Sequence, residues 1–117
     1  MSFQDAVAHL VDACTGAVGA AIVDPEGIPV VIEPRDAELE DVGAEFATIV
    51  REVEQAEREL QHGKLQQFTV YAEDAALVVT LMSGGYYLVL QLEPTGLLGK
   101  GRFLSRVIGE QLYSEFI

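Results

Sequence analysis

The sequence predicts an α+β fold, a five-stranded antiparallel sheet held between one long helix and two terminal helices. Three observations lead there. Residues 38–62 repeat their apolar positions with a helical period. The remaining apolar segments are short and mostly joined by turns too tight for anything but antiparallel pairing. The first and last of those segments are apolar on both faces, which places them in the middle of a sheet covered on both sides.

Taken in order, residues 2–13 carry Phe3, Val7, Leu10 and Val11 at helical spacing, with Ser2 as the cap and Gly16 as the stop. Ala17 to Val23 forms the first strand. Asp24-Pro25-Glu26-Gly27 is turn chemistry, because proline presets its own φ and glycine tolerates a positive one. Ile28 to Ile32 returns as the second strand, and Pro29, lacking an N–H, puts it at a sheet edge. The long helix runs from 38 to 62 and ends at Gly63. Gln67 to Ala72 alternates, with Phe68, Val70 and Ala72 on one face and Gln67, Thr69 and Tyr71 on the other. Ala76 to Met82 and Tyr86 to Leu92 complete the strands across turns at Glu73-Asp74 and Ser83-Gly84-Gly85. A last helix reaches about residue 115, with Phe103, Leu104, Val107, Ile108 and Leu112 inward. The order is α-β-β-α-β-β-β-α. The simplest sheet satisfying the forced pairs has the strand order 2-1-5-4-3, with strands 2 and 3 at its edges.

A chain of 117 residues, half of them hydrophobic, forms one domain, 1–117, with one core. Its 19 acids against 7 bases leave a formal charge of −12, which disfavours nucleic acid and anionic membranes as partners. No apolar run approaches the roughly 20 residues of a membrane span. Met1 to Asp5 shows neither the basic nor the apolar region of a secretory signal, so a cytoplasmic location is expected. Cys14 is the single cysteine and reads as a small core residue.

Catalytic chemistry finds no footing. His9 and His62 are far apart and neither has a spaced partner. Gly96-Leu97-Leu98-Gly99-Lys100-Gly101 fails as a phosphate loop: Pro94 stands where its first glycine belongs, and Gly101 where Ser or Thr should follow the lysine. It reads as a flexible lead into the last helix. No serine lies in a nucleophile elbow, and no carboxylate pair stands out. Catalytic, cofactor and metal residues are therefore all expected to be none.

The long helix is the informative element. Leu39, Val42, Phe46, Ile49, Val53, Ala56 and Leu60 step by three and four and are assigned to the sheet. Glu45, Glu52 and Glu59, seven residues apart, point outward as a solvated face or a surface for a basic partner. Gly43, Ala47 and Val50, before Glu54, make a small apolar flank that suits close approach of a second helix; the same residues could equally widen the core stripe. Strand 3, with Gln67, Phe68, Thr69 and Tyr71, carries no internal proline or lysine to block strand addition. Two copies related by a two-fold axis could pair along it with their long helices side by side.

The element order, Val23-Asp24-Pro25-Glu26-Gly27-Ile28-Pro29, the acidic long helix and Gly84-Gly85-Tyr86-Tyr87-Leu88-Val89-Leu90 together resemble the roadblock/LC7 domain family over nearly the whole chain. The short bacterial members, the MglB-type regulators of Ras-like polarity GTPases and their paralogues, are the most similar in pattern. The resemblance implies a homodimer joined through the long helix and strand 3. It also implies a non-enzymatic adaptor that binds a small Ras-like GTPase, another roadblock protein, or both, in a polarity or motility circuit. It carries over no catalytic motif, and Arg51 and Arg58 read as surface charge, Arg58 four residues after Glu54. The chain ends at Ile117 without the extended tail of some relatives. Two other readings compete: direct GTPase activation, and a small-molecule-binding sensory domain of PAS-like or profilin-like shape, for which the apolar central strands offer few polar groups.

Overall fold

The structure, a computed structural model, describes residues 2–35 and 38–113. The elements are α1 (Phe3–Ala13), β1 (Ala17–Val23), β2 (Pro29–Glu33), α2 (Glu40–Glu59), β3 (Gln67–Tyr71), β4 (Ala76–Leu81), β5 (Tyr87–Leu92) and α3 (Leu98–Gln111). The strands form one antiparallel sheet in the order β2-β1-β5-β4-β3, as the turn lengths and the two doubly apolar strands require. Residues 114–115, expected in the last helix, lie outside the described residues.

Local chemistry sets the ends of these elements. The Ser2 hydroxyl accepts from the Asp5 N–H at 3.1 Å and caps α1. The Asp24 carboxylate accepts from the N–H groups of Glu26 and Ile28, at 2.9 and 3.0 Å, and so closes the β1–β2 turn. Gly27, at φ +89°, supplies the left-handed residue that turn needs. Between β4 and β5 the chain takes a short 3₁₀ turn at Ser83–Gly85.

The sheet separates two clusters of core side chains. On one face α1 and α3 lie side by side over Ala20, Ile22, Val78, Leu88, Leu90 and Leu92, contributing Val7, Leu10, Ile108 and Leu112. Cys14 is buried here, and burial pushes its thiol pKa up. On the other face α2 lies alone over Ala21, Val23, Val79, Tyr87 and Val89.

Two expectations for α3 need correction. Gly99 and Gly101 are not a flexible lead; they belong to the helix, which begins at Leu98. A Cβ at Gly101 would come 3.0 Å from a Leu90 methyl, so its glycine lets the first turn of α3 approach β5 closely. Phe103 points outward, 60% exposed, because the inward arc of the helix is taken by Gly101, Ser105 and Ile108.

Candidate protein-interaction interface

The faces of α2 are arranged differently from the expected pattern. Gly43, Ala47 and Val50, which suited either a second helix or a widened core stripe, are buried within the chain's own fold, with Ala47 at 6% and Val50 at 4% exposure. The seven-residue stripe assigned to the sheet is instead rotated to a flank. Of it only Leu39 is buried. Val42, Phe46 and Val53 are half-buried, and Ile49, Ala56 and Leu60 are exposed, Ile49 at 39% and Leu60 at 61%.

The reason is distance of approach. The β1–β2 turn rides on α2, and a Cβ at Gly43 would stand 3.2 Å from the Gly27 carbonyl oxygen and 3.4 Å from the Val23 methyls. A Cβ at Gly27 would meet that of Ala47 at 3.0 Å. Only the small face of the helix fits there. Tyr87 completes the contact from β5: its buried hydroxyl donates to the Gly43 carbonyl oxygen at 2.7 Å. Burial pushes the Tyr87 pKa up to about 12; Arg51 opposes the rise and Asp24 adds to it.

That docking also orients the apolar flank. Arg51, on the far side of the helix from Val53 at about 100° per residue, donates to the Pro25 carbonyl oxygen at 3.4 Å. Its side of α2 therefore lies over the β1–β2 turn, and the flank with Phe46, Ile49 and Val53 is turned the other way, toward β4 and β3.

β3 is an edge of the sheet, as expected, and pairs only with β4. Phe68 and Val70 stand half-buried on the α2 side. Gln67, Thr69 and Tyr71 face the other way. The Gln67 amide donates to Thr80 Oγ1 and to the Arg102 carbonyl oxygen, both at 3.0 Å, and the Tyr71 hydroxyl donates to the Pro94 carbonyl oxygen at 3.3 Å. β3 leaves its outer backbone edge open, with Phe68 and Val70 half-buried on the α2 side and Tyr71 exposed on the other.

Sequence periodicity identified the apolar stripe but set all of it on the sheet, whereas only Leu39 is buried there and Val42 and Phe46 pack at its margin. The signal that could have corrected it was Gly43 and Ala47 recurring at i and i+4 opposite a glycine turn. Glu54 is half-buried at the C-terminal part of the inner face, while Glu45, Glu52 and Glu59 are all exposed and point away from the sheet. His62 pairs with Glu57 at 2.8 Å, and His9 is an exposed residue of α1. Among the described residues no group of three or more His, Cys, Asp or Glu side chains could hold a metal, and no helix is long and apolar enough to cross a membrane.

The molecule is thus a three-layer α+β module, with two helices on one face of the sheet, one on the other and an apolar shoulder beside the β3 edge. The chain belongs to the Roadblock/LC7 domain family, whose model matches residues 3–92. No curated protein matches the chain at the level of sequence. Among solved structures it is similar to a Roadblock/LC7 domain from Streptomyces avermitilis, with a TM-score of 0.87, 12% identity and 98% of each chain covered. It is also similar to MglC from Myxococcus xanthus, with a TM-score of 0.69, 28% identity, and 98% of this chain and 99% of that one covered. A third similar structure is the gliding protein MglB from Thermus thermophilus, with a TM-score of 0.81, 19% identity, and coverage of 97% and 90%.

Proposed function

We propose that the protein is a homodimeric adaptor that binds a small Ras-like GTPase, another roadblock protein, or both, in a bacterial polarity or motility circuit, without chemistry of its own. The observation that carries this reading is the uncovered shoulder of α2 beside β3. A five-stranded sheet is about 19 Å across at ~4.8 Å per strand spacing, and one helix with its side chains spans only about 10–12 Å. α1 and α3 together span most of their face. α2 alone leaves its face short by about one helix width. A second α2, brought in by pairing β3 with β3 of a twin, supplies that width, satisfies the edge backbone groups and covers Phe46, Ile49, Val53 and Phe68.

Family membership and the likeness to MglC support the regulatory role, and the GTPase is the partner class that the resemblance of the sequence implies. In this arrangement Glu45, Glu52 and Glu59 stay outward and are available to a basic partner surface. Light scattering at tens of micromolar is expected to give twice the 12.7 kDa chain mass. A strict monomer would sink the dimer. Single-turnover GTP hydrolysis by the cognate GTPase then separates the two regulatory roles: an unchanged rate in a formed complex fits an adaptor, and acceleration replaces it with direct activation.

A further inference from the structure

The chain's few cations are not spread evenly. Of its seven, Lys64, Lys100, Arg102 and Arg106 lie on α3 or in the lead into β3. α2 carries seven acids and two bases, whereas α3 carries three bases and one acid, Glu110. Although the neighbouring α1 carries Asp5 and Asp12, the balance of charge on this molecule of −12 is therefore reversed locally on the α3 side. That side also holds a groove of about 580 Å³ between the C-terminal half of α3 and the segment that leads into β3.

The groove has the chemistry of a docking site. Lys64 stands on one wall and Arg106 on the other, with Arg102 one turn earlier on the same flank of α3. Leu65 and Met82 give it apolar lining, and the Thr80 side chain faces it beneath Gly109. Gln67 bridges Thr80 and Arg102 and so ties α3 to the sheet beside it. Among the described residues, no carboxylate lies within ion-pair distance of Lys64, Arg102 or Arg106. Among the described residues these charges have no carboxylate partner, although acids outnumber bases by 19 to 7 in the chain.

We infer that this groove receives an acidic segment of a partner protein, one apolar side chain seated over Leu65 and Met82 and flanking carboxylates held by Lys64, Arg102 and Arg106. Charge complementarity selects the occupant. The rest of the surface repels an acidic chain, so binding is confined to the one place where the local sign is opposite. Glu110 is the one acid among the described lining residues and limits affinity. The surface is on the opposite face of the sheet from the proposed α2 shoulder, goes beyond the adaptor reading and stands on other residues.

The test uses a short peptide with a single leucine between pairs of glutamates, titrated into the ¹⁵N-labelled chain. Amide shifts are expected at Leu65, Gln66, Thr80, Met82 and Gly109, while Val30 and Val31 on β2 stay fixed. The glutamine version of the peptide should bind at least about tenfold more weakly. The double variant Lys64→Glu/Arg106→Glu should lose binding with an unchanged circular dichroism spectrum, Arg106→Lys should retain it, and Glu110→Gln should tighten it. Equal binding of the glutamine peptide, shifts confined to other surfaces, or no shift up to millimolar peptide overturns the inference. So does dilution-dependent shifting of the same amides in the protein alone, which assigns the groove to a second copy. Sedimentation with phosphatidylserine vesicles that Lys64→Glu/Arg106→Glu abolishes, without peptide binding, assigns it to a membrane and overturns it equally. Because these variants leave Ile49 and Phe68 untouched, loss of the groove and loss of the dimer are read separately.

Discussion

The two faces of the sheet are closed in different ways. α1 and α3 share one face, and their buried residues join those of three strands, β1, β4 and β5, in a single cluster. α2 covers the other alone and is held where small residues meet: Gly43 and Ala47 against the Gly27 turn, with the Tyr87 hydroxyl on the Gly43 carbonyl. The first closure is the work of two helices and leaves a groove beside α3, and the second is a point contact. A helix fixed at one place over a sheet twice its width must leave apolar surface beside it, and in α2 that surface is the flank from Val42 to Leu60. Incomplete cover is thus built into the fold and not a defect in its packing.

Adjacent residues of α2 allow this contrast to be broken deliberately. Val50 is buried on the sheet and Ile49 is on the exposed flank. Val50→Asp places an unpaired charge in the core and is expected to cost about 3–5 kcal/mol, enough to unfold a marginal domain in urea titrations. Ile49→Asp is expected to cost less than about 0.5 kcal/mol in the isolated chain but at least about 2 kcal/mol in dimerisation, read as a monomer by light scattering. If both variants behave alike, the division of α2 into an inner face and an outer shoulder is wrong.

Tyr87→Phe probes the point contact itself. It leaves the Gly43 carbonyl without its buried donor and should cost about 1–2 kcal/mol. It also carries a pH signature. The phenol titrates near 10 when unfolded and is pushed up to about 12 in the fold. The unfolded chain therefore loses its proton first, and the Tyr87 contribution is fully present below pH 10 and declines as pH rises toward 12. Thermal melts at pH 8 and 11 should fall less in Tyr87→Phe than in the parent chain. The smallest effect is expected from Glu45→Ala, Glu52→Ala and Glu59→Ala together. Stability should move by less than about 0.5 kcal/mol per site, while binding to a basic partner surface weakens.

The correction within α2 shows where reading by pattern fails. Two neighbouring arcs of the helix, one with Phe46 and Ile49 and one with Ala47 and Val50, are both apolar. Periodicity alone favours the bulkier arc as the inner one. Steric approach favours the smaller, because the Gly27 carbonyl leaves no room for a large side chain at 43. Phe103 repeats the lesson on α3, where Gly101 and Ser105 face inward and the aromatic faces out. The groove beside α3 was not legible at all. Lys64, Thr80 and Arg106 are far apart in sequence and meet only when β3 pairs with β4 and α3 folds back over them.

The sequence by itself determined the element order, the sheet order β2-β1-β5-β4-β3 and the edge position of β2 and β3. Turn length, strand patterning and a proline without an N–H are local properties and act wherever the chain goes. Only the tertiary structure decided which side of α2 meets the sheet, how much of it stays uncovered and where the cations gather. Those depend on distances of closest approach between segments remote in the chain, and side-chain size sets them only after both segments are in place.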